Sequence, residues 1–189
     1  LERDLAARRE SLREAGATAQ GLGHRYPALA VAAVLDNLAN AEDLVGMADR
    51  WTATAARLLA AGDRPGAVGA MRAAEEALSQ AATTIERVQD APRVLAHAER
   101  AVAALLATTE GGIAEAEALG MPEGMSATQP FARNTLAWAR GEADTGSYDP
   151  LATRRALEDT DSALEVGLAP RRAAQAAHRF GRPAQHLRR

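Results

Sequence analysis

His24, His97, His178 and His186 are the chain's four histidines, and none has a glutamate three residues before it. The Glu-x-x-His pairs that hold metals inside helical bundles are therefore missing. His97 and Glu99 stand two apart, which points them to different faces of a helix. Ser126 follows Gly124-Met125 without a Gly-x-Ser-x-Gly elbow or a strand before it, and reads as loop or N-cap. No residue is lysine, so there is no P-loop lysine and no Schiff-base amine, and no Gly-x-Gly-x-x-Gly occurs. No residue is cysteine, which removes disulfides, thiolate metal ligands and thiol nucleophiles together. The sequence predicts no catalytic residue, no metal ligand and no cofactor.

The remaining candidates concern binding. Asp36, Asn37, Asn40, Glu42 and Asp43 cluster within two helical turns and read first as a solvated face. Trp51 and Trp138 read as space-fillers between helices, and Met121 and Met125 as packing beneath a loop. Charge is uneven along the chain. All 25 acidic residues lie at or before Glu165, whereas Arg171, Arg172, Arg179, Arg182, Arg188 and Arg189 follow with no acid among them. These six arginines are the candidate contact for an anionic partner, nucleic acid or lipid. They equally suit neutralising the acidic bundle or complementing a helix C-terminus. With no aromatics interleaved beyond Phe180, the neutralising reading is preferred and nucleic acid is disfavoured as a partner.

The elements that position these residues are helices. Alanine supplies 48 of 189 residues and aromatics only 3%. Alanine is the strongest helix former, and small side chains let helix axes approach closely while burying little area each. A first helix is expected over about 2–20, ended by Gly21, Gly23 and Pro27. A second runs over about 28–61, with Val31, Leu35, Leu38, Ala41, Val45, Ala48, Ala55 and Leu58 on its buried stripe. Gly62 is placed to end it, and Asp63 before Pro65 to cap the next.

A third helix, about 65–119, carries the longest apolar seam. Val68, Met71, Ala74, Leu78, Ala81, Ile85, Val88, Leu95, Ala98, Val102, Leu105, Ile113, Ala116 and Leu119 step mostly by three and four. Pro92 falls in phase with this seam, which predicts a kink or a coaxial restart there instead of a turn. Residues 120–130 form a Gly/Pro loop, helices follow over about 131–143 and 150–180, and Pro170 is expected to kink or split the last. The start Asp63-Arg64-Pro65-Gly66-Ala67 is loosely echoed at Tyr148-Asp149-Pro150-Leu151-Ala152, the mark of a weak duplication or of two good helix starts. The predicted fold is all-α: an elongated antiparallel bundle of long, partly kinked helices with coiled-coil-like packing, one domain over 1–170 and a basic tail over 171–189.

The run Val34-Leu35-Asp36-Asn37-Leu38-Ala39-Asn40-Ala41-Glu42-Asp43-Leu44, continued by Leu58 through Arg64, resembles the C-terminal helical region of actinobacterial TPM-domain proteins. Ala67-Val68 through Arg72-Ala73-Ala74-Glu75, then Ala81-Ala82 and Val88, extend the likeness. So do Asp149-Pro150-Leu151-Ala152, Leu157, Asp161, Ala163 and Leu164. The resemblance is spread over roughly residues 25–170. It implies an exported N-terminal TPM domain and a membrane helix in missing flanks, with the helical part on the cytoplasmic side. No TPM catalytic or metal-binding residue carries over to a position here. No stretch of this sequence is apolar enough to span a membrane, and the first residue, Leu1, suggests a piece of a longer protein. The expected function is a non-enzymatic scaffold, spacer or protein-interaction module with a protein partner, itself or another. The alternative is a tetratricopeptide-like peptide-binding module.

Overall fold

The computed structural model describes residues 1–120 and 125–180. Among them are five helices and no strand: α1 (Glu2–Arg25), α2 (Ala28–Ala60), α3 (Arg64–Ala118), α4 (Thr128–Asp144) and α5 (Pro150–Phe180). The fold is an all-α helical bundle. Where periodicity alone suggests one bundle domain, packing divides the chain into two compact units, Leu1–Ala96 and His97–Arg189. α3 is continuous across that division, so its first part belongs to one unit and its second part to the other.

The helix ends show why the boundaries fall where they do. α1 runs past Gly21 and Gly23 and stops at Tyr26, an extended residue (φ −115°, ψ 151°) held there by Pro27. The residue before proline, not the glycines, is the stop signal. α2 ends in a Schellman motif: the Asp63 N–H donates to Leu58 O at 2.9 Å and the Gly62 N–H to Leu59 O at 3.1 Å. Gly62 takes the left-handed conformation this needs, with φ 82°. Asp63 then caps α3, its Oδ1 accepting from the Gly66 N–H at 2.9 Å. Asp149 caps α5 likewise, accepting from the N–H groups of Leu151 and Ala152 at 2.9 and 3.1 Å. The two echoed sequence starts thus each open the third helix of a unit behind an aspartate cap.

In the first unit, Leu5 of α1, Val45 and Ala48 of α2, and Ala77, Leu78 and Ala81 of α3 share one core. In the second, Ile113 and Ala116 of α3, Ala132 and Leu136 of α4, and Leu164 and Leu168 of α5 close around Met125. Val102, Ala139 and Leu157 form a further cluster of the same three helices. Gly167 makes room for Met125: a Cβ there would stand 2.8 Å from the Met125 Cγ and 2.9 Å from its sulfur.

The seam on α3 is present but displaced at its start. Ala67, Ala74, Ala81, Val88, Leu95, Val102, Thr109 and Ala116 are all buried at seven-residue intervals, joined by Ala70, Ala77, Thr84, Ala91 and Ala98. Val68 and Met71, expected on the seam, are exposed at 47% and 37%. Pro92 is also exposed, and Ala91 takes the buried position beside it. Its ring faces solvent, and α3 continues past it without a turn, as α5 does past Pro170, each without the hydrogen bond that the proline nitrogen cannot donate. On α2, Leu35 is exposed and Val34 is buried in its place. α4 begins at Thr128, so Pro130 sits in its first turn, where its missing N–H costs no helical hydrogen bond.

Thr109 interrupts this apolar ladder. It is fully buried, and among the described residues its Oγ1 has no hydrogen-bond partner, unlike Thr153 and Thr160, whose hydroxyls donate to the carbonyl four residues earlier. An unpaired buried hydroxyl carries its full desolvation cost. Thr109→Val, nearly isosteric, is expected to raise stability by about 1 kcal/mol, read as a higher urea midpoint at unchanged slope.

Candidate functional site

Of the six candidate arginines, two have described side chains, and neither lies on a tail: Arg171 and Arg172 belong to α5. Arg171 is exposed. Arg172 forms a fork onto two carboxylates. Its Nε and one terminal nitrogen each donate to Glu115 at 2.7 Å, and its other terminal nitrogen donates to Glu165 at 2.6 Å. This ties α5 to α3 within the second unit. Arg172 therefore neutralises the bundle's own acids. The Arg179 side chain and all of Arg182, Arg188 and Arg189 lie outside the described residues, as do Met121 and His186.

The Arg172 fork holds the Glu115 carboxyl below the ordinary carboxylate range, while burial and then nearby Glu165 raise Asp161. A depressed carboxylate contributes stability above its unfolded pKa and loses it as pH falls through the folded value. The second unit should therefore weaken as pH drops from 5 toward about 3. Asp161 has the opposite sign: its raised pKa opposes folding above the unfolded value and partly offsets Glu115. Melting curves of Arg172→Met against the parent chain check this. The variant should melt lower at pH 7, and the gap should narrow in acid.

The other sequence candidates stay apart. Asp36, Asn40, Glu42 and Asp43 are exposed, consistent with a solvated face, and Asn37 is half-buried. His24, His97 and His178 are each exposed, and among the described residues no group of three or more His, Asp or Glu is placed to hold a metal ion. Met125 is buried, whereas Ser126 is exposed in the turn before α4.

Two shallow grooves lie between helices. One, of about 340 Å³, runs between α1 and α3 of the first unit and is lined by Asp4, Arg8, Glu75 and Leu78. The second, of about 290 Å³, lies between α3 and α4 over Ile113 and Leu136. Its rims are two ion pairs seven residues apart on each helix, Glu110 with Arg140 at 2.6 Å and Glu117 with Arg133. Such pairs flanking an apolar floor set the antiparallel register of α3 and α4. Each charge is met by its opposite, which is the chemistry of a helix contact. No family model, no curated protein and no solved structure matches the chain.

Surface aromatics are what the sequence reading missed. Trp51 and Trp138, expected between helices, are 40% and 45% exposed, and Phe131 is 57% exposed. The seven-residue spacing of Phe131 and Trp138 was the available signal, since it places both on one face of α4. Starting α4 at Phe131 hid it, by making that residue a helix end instead of part of a ridge.

Proposed function

We propose that this chain is a non-enzymatic helical scaffold and protein-interaction module. The observation that carries the reading is the placement of its aromatic residues. Only six occur in 189 residues, and three of them, Trp51, Phe131 and Trp138, present 40–57% of their surface to solvent. Aromatic residues are the anchors of protein interfaces, and an alanine-rich core short of large side chains would gain most by burying them. Long helices with closely packed, alanine-lined contacts supply the rigid support such anchors need. Single helices of 24, 33 and 55 residues fit a scaffold better than the two short helices of a 34-residue tetratricopeptide unit.

The resemblance to the helical region of TPM-domain proteins extends this reading to a place on the cytoplasmic side of a larger membrane-associated bacterial protein. Any membrane attachment would come from flanking segments, because among the described residues no helix is long and apolar enough to cross a membrane.

A photo-crosslinking amino acid placed at Trp51 or Trp138 in the cell tests the interaction reading. Protein adducts are expected from both positions and not from a control at exposed Ala53. Adducts equally frequent at all three would overturn it.

A further inference from the structure

We infer that α4 pairs with α4 of a second copy of this chain, antiparallel across a two-fold axis, through the ridge of Phe131 and Trp138. The inference rests on the interaction-module reading and names the partner. α4 has two seams. Gln129, Ala132, Leu136 and Ala139 are buried in the second unit. On another side Thr128, Phe131, Thr135, Trp138 and Glu142 follow one another by three and four, the spacing of a helix–helix contact; Thr128, Thr135 and Glu142 are half-buried, whereas Phe131 and Trp138 are exposed. Phe131 and Trp138 stand out from this second seam at 57% and 45% exposure. On this face Thr135 between them and Asn134 and Gly141 beside them are uncharged, and Arg133 falls on the opposite side of the helix.

Charge and shape decide the occupant and its direction. In a two-fold pair each contact is made twice, residue i with j and j with i. The antiparallel register that sets Phe131 over Trp138 of the second copy also sets Thr128 over Gly141, whose lack of a side chain leaves room for close approach. It sets Glu142, the seam's one charge, over Ala127 of the second copy. Ala127 is the N-cap of α4 and makes no side-chain cap hydrogen bond. A carboxylate at this helix N-terminus meets the positive end of the helix dipole; the Gln129 N–H is already bonded to Met125 O and Pro130 has none, so the attraction is one of charge to dipole. A parallel pair would instead oppose Glu142 to Glu142 at two helix C-termini. The ridge is therefore self-complementary in one direction. A contact of one 17-residue helix with its copy falls at the small end of specific interfaces, below about 1,200 Å², so the dimer should form and dissociate with concentration.

Sedimentation equilibrium of the full 189-residue chain across micromolar concentrations tests this. A monomer–dimer equilibrium is expected. Phe131→Ala and Trp138→Ala should each weaken it at least tenfold, and Glu142→Arg should weaken it severalfold, with unchanged circular dichroism. Trp51→Ala, which removes an equally exposed aromatic from the first unit, should leave it unchanged. The chain has no cysteine, so Ala127→Cys and Glu142→Cys chains report direction. Mixed and oxidised they should cross-link, whereas Ala127→Cys alone should not. A chain that stays monomeric, a dimer indifferent to Phe131 and Trp138, or self-linking of Ala127→Cys would each overturn the inference. A monomeric chain that still crosslinks to another protein through Trp138 would overturn this pairing and leave the interaction-module reading standing.

Discussion

Leu157→Ala is expected to remove about 3 kcal/mol from the second unit. Leu157 has no exposed surface and packs with Val102 of α3 and Ala139 of α4, with Leu105, Leu106 and Tyr148 around them. It therefore joins all three helices of the unit at one level. Truncating leucine to alanine loses the transfer energy of the removed carbons and leaves a cavity whose cost depends on how far the walls can collapse. Here part of the wall is alanine, which has no rotamer to swing inward. A loss of this size is a large fraction of the roughly 5–15 kcal/mol that holds a domain folded. Urea unfolding followed by circular dichroism should show it as a lower midpoint. Leu157→Met, which keeps the volume, should cost under about 1.5 kcal/mol. Val166→Ala on the same helix should stay within about 0.5 kcal/mol, because Val166 is 77% exposed. Equal effects at Leu157 and Val166 would mean that this cluster does not support the unit.

The all-helical class was legible because alanine content and the three–four spacing both point the same way. Helix ends were legible where backbone chemistry is specific, as at Gly62, Asp63 and Pro150, and not where it competes. Two glycines promised an earlier end to α1, yet helical backbone tolerates them and Pro27 alone forces the stop. The seam was legible from Ala74 onward and wrong before it. At the start of α3 a hydrophobicity pattern selects Val68 and Met71, whereas close packing selects Ala67 and Ala70, the smaller residues one position earlier. At Pro92 the same logic moved the buried position to Ala91. Periodicity also carries no information on where a continuous helix changes its partners, so the division after Ala96 within α3 was invisible. The Glu115 arm of the Arg172 fork joins residues 57 apart and had no local signature, unlike the Glu165 arm seven residues away on the same helix. Composition alone shows that Arg172 follows the acids, not which ones it meets.

Ala81→Leu discriminates between hydrophobicity and close packing as the organiser of the first unit, and it is expected to destabilise that unit by about 2 kcal/mol. Leucine adds three carbons. Were there room, burying them would gain roughly 2 kcal/mol at about 0.8 kcal/mol per methylene. Ala81 has no exposed surface, and its cluster includes Ala48, Ala77, Leu5 and Val45 from all three helices. The alanines hold the helix axes close, because alanine has no rotamer to change, leaving only Leu5, Val45 and Leu78 of the cluster able to repack. The added volume must then be taken up by moving the helices of this cluster apart, which also loosens Ala48 and Ala77. Val68→Ala supplies the opposite case. A seam chosen by hydrophobicity makes it costly, whereas 47% exposure of Val68 keeps its effect within about 0.5 kcal/mol. Chemical unfolding of both variants gives the answer. Destabilisation by Ala81→Leu with near-neutrality of Val68→Ala means that small side chains set the helix spacing. Stabilisation by Ala81→Leu would show slack between the helices and remove that account of the alanines.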